Sequence, residues 1–426
     1  MSHRPFALAA VILVTALACQ TYDFVPVEPL SISQEESSTP IVIKKFKPNV
    51  MVLVDKSGSM DQPTNPSLPD CVQGGTLCGT GANAKSNPCN VTRCPTRWSE
   101  LNLALDSFLQ AQAQTVRFGL AFFPEPRPAT GTEDSNCIPT EAVRVNLPND
   151  PSDDTPATLS ALSTAARNAL AAVKSSNNPG AFGTGGATPT GPSLAFLSSY
   201  TPLLDPLRLE LVLLLTDGLP NCDGSITPEN CICTATADRC PPASTSSLDC
   251  LDKDRTVEAV QGLAAKGIST VVIGFGDETR ANTDGGVQAP IVLQEMALAG
   301  RYPRLCPGPQ HNQSCGPLNP CQGGVCLRQY FQAQDSRELG AALAEITASL
   351  DREPCLRAIT PAPTSEDLIL LTLNGTKYPP GPDTWHYVPP ADGGPAIRFL
   401  GSLCTAIETS TAQNPVQLDL RILRVL

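Results

Sequence analysis

The sequence predicts an α/β fold whose sheet is doubly wound and mostly parallel. Unbroken apolar runs at residues 50–54 and 211–215, and a mostly apolar segment at residues 268–275, are the first reason. Such runs are typical of strands that are covered on both faces of a parallel sheet. Segments of helical periodicity lie between the runs, and they supply the crossover connections that parallel strands need.

The other elements of this fold follow from periodicity and helix-capping signals. Helices are predicted around residues 98–109, from the Thr155-Pro156 cap to residue 173, and over residues 252–266, 291–299 and 335–351. Further strands are predicted over residues 116–123, 142–147 and 330–333.

Oxygen-bearing side chains follow two of the predicted strands. Asp55, Ser57 and Ser59 stand at alternate positions after the first apolar run, and Asp217 follows the second. The carboxyl ends of strands in an open α/β sheet are the usual place for a site. Ligation by oxygen atoms with few charges suits a hard cation such as Mg²⁺.

This pattern resembles the metal-ion-dependent adhesion site of the von Willebrand factor A (VWA) family, also called the integrin I-domain fold. The family's Asp-x-Ser-x-Ser segment is matched by Asp55, Ser57 and Ser59. Its threonine is matched by Thr188 in Gly-Gly-Ala-Thr-Pro, and its second aspartate by Asp217 in Thr-Asp-Gly. The resemblance covers about residues 47–352. The competing interpretation is a set of unrelated strand ends in another open α/β sheet.

The resemblance implies a divalent cation, Mg²⁺ or else Mn²⁺ or Ca²⁺, held by Asp55, Ser57, Ser59, Thr188 and Asp217. A cation with only two anionic ligands stays electrophilic and can accept another carboxylate. In the family, a protein partner supplies that Glu or Asp carboxylate. The implied function is metal-dependent protein binding at the bacterial surface, in adhesion or envelope assembly. The alternative is a cation that only stabilises the loops.

The composition excludes some partners and indicates an exported protein. The 426-residue chain has a net charge of −12, which argues against binding to nucleic acid. Seventeen cysteines are too many for a reducing compartment, so we expect disulfides rather than zinc or redox sites. The Cys231-x-Cys233 pair and the group at residues 306–326 are where a zinc or redox alternative would lie.

The amino terminus reads as an export signal over residues 1–18. Residues 16–19, Ala-Leu-Ala-Cys, look like a bacterial lipobox, in which Cys19 is acylated. The odd cysteine count favours this interpretation, because setting Cys19 aside leaves sixteen cysteines for eight disulfides. In the class of lipoproteins that this segment resembles, an aspartate after the cysteine retains the protein in the inner membrane. Gln20 stands at that position here, so the resemblance implies the outer membrane, with the lipid as the only membrane contact. Ordinary signal peptidase cleavage, giving a secreted or periplasmic protein, is the alternative.

The predicted domain organisation has four parts. Residues 1–18 are the signal peptide, residues 19–46 a lipid-anchored tether, residues 47–352 the VWA domain, and residues 353–426 a small β-rich domain. Cysteine-rich insertions interrupt the VWA domain at residues 61–95, 222–250 and 306–326. In the last domain we expect a turn at Asn374-Gly375 and a bridge between Cys355 and Cys404.

No catalytic residues are recognised, so we expect a binding protein rather than an enzyme. After the signal peptide the chain has only two histidines, His311 and His386, and neither lies in a hydrolase motif. A hydrolase whose catalytic groups lie in the insertions is one alternative. A structural envelope protein is the other.

Overall fold

The computed structural model describes the chain from residue 34 onward, with gaps. The described residues are 34–43, 47–80, 87–125, 137–150, 153–174, 184–205, 208–234, 240–244, 246–276, 289–304, 321–322, 325–350, 355–359, 363–389, 395–408, 410 and 416–425. The described strands are β1 (Gln34–Ile43), β2 (Asn49–Asp55), β3 (Val72–Gln73), β4 (Thr76–Leu77), β5 (Arg117–Phe123), β6 (Glu210–Thr216), β7 (Ile268–Phe275), β8 (Cys321–Gln322), β9 (Val325–Cys326), β10 (Phe331–Ala333), β11 (Leu356–Ala358), β12 (Ile369–Leu373), β13 (Thr376–Tyr378), β14 (Trp385–Val388), β15 (Ala396–Phe399) and β16 (Val416–Val425). The described α-helices are α1 (Arg97–Ala111), α2 (Pro156–Ala172), α3 (Thr190–Leu197), α4 (Lys253–Ala265), α5 (Ala289–Ala299), α6 (Ser336–Leu350) and α7 (Gly401–Glu408).

The central sheet has five parallel strands in the order β10-β7-β6-β2-β5. The strand order reverses at β2, because the chain first adds β5 on one side of β2 and then β6 on the other. In open α/β sheets, the carboxyl ends of the strands at such a reversal border the crevice where ligands bind. The predicted doubly wound, mostly parallel sheet is confirmed.

Side chains of β2 alternate between two hydrophobic cores. Val50, Val52 and Val54 belong to a core shared with α1, α2 and α6. Met51 and Leu53 belong to a second core shared with α3, α4 and α5. Since helices cover both faces of the sheet, all residues of β2 are buried, which explains its uninterrupted apolar sequence.

Residues 142–147 are not the strand that the sequence predicts. In this segment Val145 forms one isolated antiparallel bridge with Leu120, on the edge strand β5. Val145 and Leu147 are nevertheless buried in the two cores of the sheet. The alternating pattern therefore reflects the packing of an irregular segment.

Helix α3 was not predicted, and Gly191 and Pro192 in its first turn explain why the sequence there reads as a loop.

The C-terminal residues form antiparallel sheets around a core of their own, which contains Trp385 and Ile407. One sheet has the order β1-β16-β12-β13 and the other β11-β15-β14. Asn374 and Gly375 both have positive φ angles and form the predicted turn between β12 and β13. The predicted Cys355–Cys404 disulfide is present. The domain boundary at residue 353 stays a prediction.

Strand β1 lies within the segment predicted to be a tether. It pairs with β16 in an antiparallel ladder that runs from Gln34 opposite Val425 to Ile43 opposite Val416. This part of the predicted tether is therefore a strand of the C-terminal sheet. The polar string at residues 34–38 has no apolar alternation, so no sequence pattern revealed the pairing. The signal peptide, Cys19 and the rest of the tether up to residue 33 lie outside the described residues.

Disulfides tie together the two insertions that follow β2 and β6. The first insertion contains Cys71–Cys94 and Cys78–Cys89. The second contains Cys231–Cys250 and Cys233–Cys240, and Cys137–Cys222 joins it to the loop after β5. In the third insertion, β8 and β9 form a hairpin in which Cys321 lies opposite Cys326. Cys326 is disulfide-bonded. Cys306 and Cys315 lie outside the described residues.

Candidate metal site

The candidate site lies at the carboxyl ends of the neighbouring strands β2 and β6. Asp55 is the last residue of β2, and Asp217 directly follows β6. Both aspartates are fully buried. The topology therefore places two carboxylates from distant parts of the sequence at the reversal point of the sheet.

Short hydrogen bonds connect the Asp55 loop to Asp217. The amide of Ser57 donates to Asp55 Oδ1 at 2.8 Å. The hydroxyls of Ser57 and Ser59 are 3.0 Å apart, and Ser59 Oγ donates to Asp217 Oδ1 at 2.8 Å. Four of the five predicted ligands thus form one connected cluster of oxygen atoms.

The loop that carries Thr188 packs beside this cluster through its glycines. The amide of Gly58 donates to the carbonyl of Gly186 at 3.0 Å, and the amide of Gly185 donates to the carbonyl of Lys56 at 2.8 Å. Gly185 and Gly186 both have positive φ angles, which other residues rarely adopt. The glycine-rich sequence therefore allows the two loops to pair by their backbones.

The backbone of Thr188 is fixed by a side chain from the loop after β6. The amide of Thr188 donates to Asn221 Oδ1 at 2.7 Å, and the amide of Asn221 donates to the carbonyl of Thr188 at 3.0 Å. Thr188 itself is buried. The structure therefore brings the Thr188 loop next to the loops of Asp55 and Asp217, through contacts of the backbone.

Three residues at the site were missed by the sequence analysis. Thr216 Oγ1 donates to Asp55 Oδ2 at 2.7 Å. Arg97 Nη1 donates to Asp217 Oδ2 at 2.8 Å, and both side chains of this ion pair are buried. Thr184 Oγ1 donates to the buried Asp61 at 2.6 Å. A sequence signal existed only for Thr216, which directly precedes Asp217 at the end of a strand.

Burial dominates the electrostatics of the site. It raises the pKa of Asp55 above its ordinary value, and the negative charge of Asp217 raises it further. Hydrogen bonds from Ser57 and Thr216 act in the opposite direction. Burial also lowers the pKa of Lys56 to about 8, although Glu125 and Asp55 act to raise it. Two carboxylates held together away from water are stabilised by a cation.

The donor set fits a small, hard divalent cation. It offers carboxylate oxygens from Asp55 and Asp217 and hydroxyl oxygens from Ser57 and Ser59, all within one hydrogen-bonded cluster. Hard cations prefer such oxygen ligands.

Two groups of cysteine sulfurs also have the spacing of a metal cluster, but they are not metal ligands here. The groups are Cys71, Cys78 and Cys94, and Cys231, Cys240 and Cys250. Each of these sulfurs is bonded in a disulfide, so none is available as a thiolate. In these two groups the zinc alternative is therefore wrong.

A five-stranded parallel sheet with helices on both faces and an acidic cluster at its reversal point agrees with a von Willebrand factor A type of fold. The fold that the sequence predicts is therefore confirmed. No model of a known protein family and no curated protein matches the chain.

Several solved structures resemble it at low identity. The pilus adhesin SpaC from Lactobacillus rhamnosus GG is 14% identical over 92% of this chain and 42% of its own, with a TM-score of 0.40. Manganese-loaded TRAP from Plasmodium vivax is 14% identical over 74% of this chain and 78% of its own, with a TM-score of 0.34. A von Willebrand factor type A protein from Catenulispora acidiphila is 13% identical over 93% of this chain and 62% of its own, with a TM-score of 0.35. The chain spans less than half the length of SpaC.

Proposed function

We propose that this protein binds a divalent cation at the carboxyl end of its sheet and, through that cation, a carboxylate of a protein partner. Asp55, Ser57, Ser59, Thr188 and Asp217 are the proposed ligands of Mg²⁺, or of Mn²⁺ or Ca²⁺. The biological role is adhesion or assembly at the bacterial cell envelope. When bound, the cation supplies a Lewis-acidic position for a Glu or Asp side chain.

One observation carries this proposal: the hydrogen bond of 2.8 Å between Ser59 Oγ and Asp217 Oδ1. It joins residues 158 positions apart in the sequence at a cluster that also holds the buried Asp55. A cluster of this kind costs free energy unless a cation or hydrogen bonds compensate the charges. A binding function is the usual reason for keeping such an arrangement.

The disulfide-bonded insertions supply a rigid surface beside the site. One insertion follows β2, which ends at Asp55, and the other follows β6, which ends just before Asp217. Disulfides reduce the conformational entropy that loops lose when they bind a partner. This surface therefore supports docking of a macromolecule.

The disulfides are typical of an extracellular or cell-envelope protein. Every helix in the described part of the chain is too short or too polar to cross a bilayer. We propose attachment to the outer membrane through acylated Cys19, with no nucleic acid among the partners.

The proposal is tested first by metal binding. Titration of the mature protein with MnCl₂ in a calorimeter is expected to show one site, and Ser57→Ala together with Ser59→Ala is expected to weaken it about 10- to 100-fold. Ser107→Ala is the matched control, because its hydroxyl bonds only within α1 on the exposed surface. A wild-type protein that binds no divalent cation would contradict the proposal.

Partner capture from envelope extract then tests the docking role. Bound proteins are compared in Mg²⁺ and in EDTA, for the wild type and for both serine variants. Capture that depends on Mg²⁺ and on the serines is expected. If the cation raises the melting temperature but leaves capture unchanged, the cation has only a structural role.

A further inference from the structure

Arg97 reaches the candidate site from the first turn of α1. Thr96 caps this helix, because its hydroxyl accepts from the amide of Ser99 while the hydroxyl of Ser99 accepts from the amide of Thr96. This capping box fixes where Arg97 begins the helix. From there its guanidinium donates to Asp217 Oδ2 at 2.8 Å.

The loop after β7 accommodates the arginine. Gly276 follows that strand with a φ angle of +94°, and a β-carbon added to it would lie 3.0 Å from Arg97 Nε and 3.3 Å from Arg97 Cδ. A larger residue at this position would therefore press on the arginine. The ends of β6 and β7 and the start of α1 together form the pocket that holds the Arg97 side chain.

Asp217 is shared between Arg97 and the metal cluster. Its Oδ2 accepts from Arg97 while its Oδ1 accepts from Ser59. The guanidinium of Arg97 therefore already holds a positive charge against one of the two carboxylates that the cation would use. A divalent cation would add its charge beside this guanidinium, in a buried place where charges interact strongly.

We infer that Arg97 is a specificity-determining residue that weakens binding of the cation alone and makes that binding depend on an anionic ligand. A carboxylate that arrives reduces the repulsion between the cation and Arg97, because it brings a negative charge to the cluster. By linkage, the carboxylate must raise the affinity for the cation by the same factor as the cation raises the affinity for the carboxylate. The inference rests on the proposed function and assigns Arg97 the coupling between the two ligands.

The test measures MnCl₂ affinity by calorimetry for the wild type, Arg97→Gln and Arg97→Lys, each in acetate and in chloride at equal ionic strength. In chloride, Arg97→Gln is expected to bind Mn²⁺ on the order of tenfold more tightly than the wild type. Arg97→Lys keeps the charge and is expected to resemble the wild type. Acetate is expected to strengthen Mn²⁺ binding in the wild type and in Arg97→Lys more than in Arg97→Gln.

Arg304→Gln is the matched control. Arg304 is a buried arginine that pairs with Glu345 at 2.9 Å, and its removal is expected to leave Mn²⁺ affinity unchanged. Melting temperatures with and without Mn²⁺ show whether each variant is folded. They also give a second readout, because Mn²⁺ should raise the melting temperature of Arg97→Gln more than that of the wild type.

The outcomes separate the two proposals. Equal Mn²⁺ affinity in the wild type and a folded Arg97→Gln would overturn this inference and leave the metal site intact. Absence of Mn²⁺ binding in both would overturn the proposed function as well. Should Arg97→Gln fail to fold, Arg97→Met takes its place, and equal Mn²⁺ affinity in the wild type and a folded Arg97→Met would overturn the inference.

Discussion

The two ends of the central sheet both contain buried charged residues, but their charges are balanced differently. At the amino end, Arg208 pairs with Asp154 at 2.9 Å and with Asp205 at 3.1 Å. Arg117, at the start of β5, lies 3.8 Å from Asp154. The two arginines therefore face two aspartates, and no charge is left over among them.

Glu210 is a further buried acid at the amino end, and it does not disturb this balance between positive and negative charges. Burial raises its pKa to about 8, with Asp205 acting in the same direction and the arginines in the opposite one. The carboxyl is therefore neutral near pH 7. At the carboxyl end, Arg97 pairs with Asp217, and Lys56 interacts with Glu125 and, less strongly, with Asp55. We infer that the amino end is structural and that the carboxyl end, where the carboxylates of Asp55 and Asp217 meet, is the one available to a cation.

The largest effect on stability is expected at the amino end of the sheet. Arg208→Gln removes the partner of Asp154 and Asp205 and a donor to the carbonyl of Lys47. Breaking such a buried network costs about 3–5 kcal/mol, so the melting temperature should fall strongly. Affinity for Mn²⁺, measured by calorimetry on the folded protein, should not change.

Arg421→Gln is the control for this prediction, because Arg421 forms a partly exposed pair with Asp419. Its cost is expected to be about 0–1 kcal/mol. Similar losses of stability in the two variants would contradict the distinction between a buried network and a surface pair.

At the carboxyl end, Asp55→Asn is expected to leave the stability without metal unchanged or higher and to weaken Mn²⁺ binding. The change removes one of two adjacent buried charges and keeps an acceptor for the amide of Ser57. In EDTA the melting temperature should stay the same or rise by an amount equivalent to about 1 kcal/mol. Mn²⁺ affinity should fall at least about 100-fold, because a charged ligand is lost.

Calorimetry and thermal melts of Asp55→Asn with and without Mn²⁺ check both parts of this prediction. The variant should show no rise in melting temperature on addition of the cation. A marked loss of stability in EDTA would mean that Asp55 serves the fold, and the comparison between the two ends would then fail.

The sequence revealed the parts of the molecule that depend on local pattern. The apolar runs of β2 and β6 end in Asp55 and Asp217, so strand direction alone placed both acids at one edge. Arg97 could not be found in this way. Its contact with Asp217 exists only because α1, β6 and β7 converge, and in the sequence it is an ordinary residue after a helix cap.

The same limit applies to the amino end of the sheet. Arg117 stands at the start of β5, whereas Arg208 and Glu210 stand just before and at the start of β6, and no spacing in the sequence links Arg117 to the other two. The pairing of β1 with β16 was likewise invisible, because it joins a polar segment to residues near the end of the chain. Contacts between distant segments therefore account for what the sequence left out.

The smallest effect, taken over one unit of pH near neutrality, is expected from Glu210→Gln. Asn49 Nδ2 donates to Glu210 Oε1 at 2.9 Å, and within the described residues Oε2 has no hydrogen-bond partner. Since the folded pKa is about 8 and the ordinary value is 4.5, the folded protein keeps a proton that the unfolded chain has lost between these values. Rising pH therefore destabilises the folded state in this window, by about 1 kcal/mol between pH 6 and pH 7.

Glutamine has the shape of the neutral carboxyl and does not titrate, so Glu210→Gln should remove this part of the pH dependence. The measurement is the difference in stability between wild type and variant, from thermal melts at several pH values. The variant should gain on the wild type as the pH rises from 5 to 8, and the difference should level off above 8. A difference that stays constant with pH would show that Glu210 is ionised in the folded protein. The amino end would then carry one more negative charge than its two arginines compensate, and its charges would no longer be balanced.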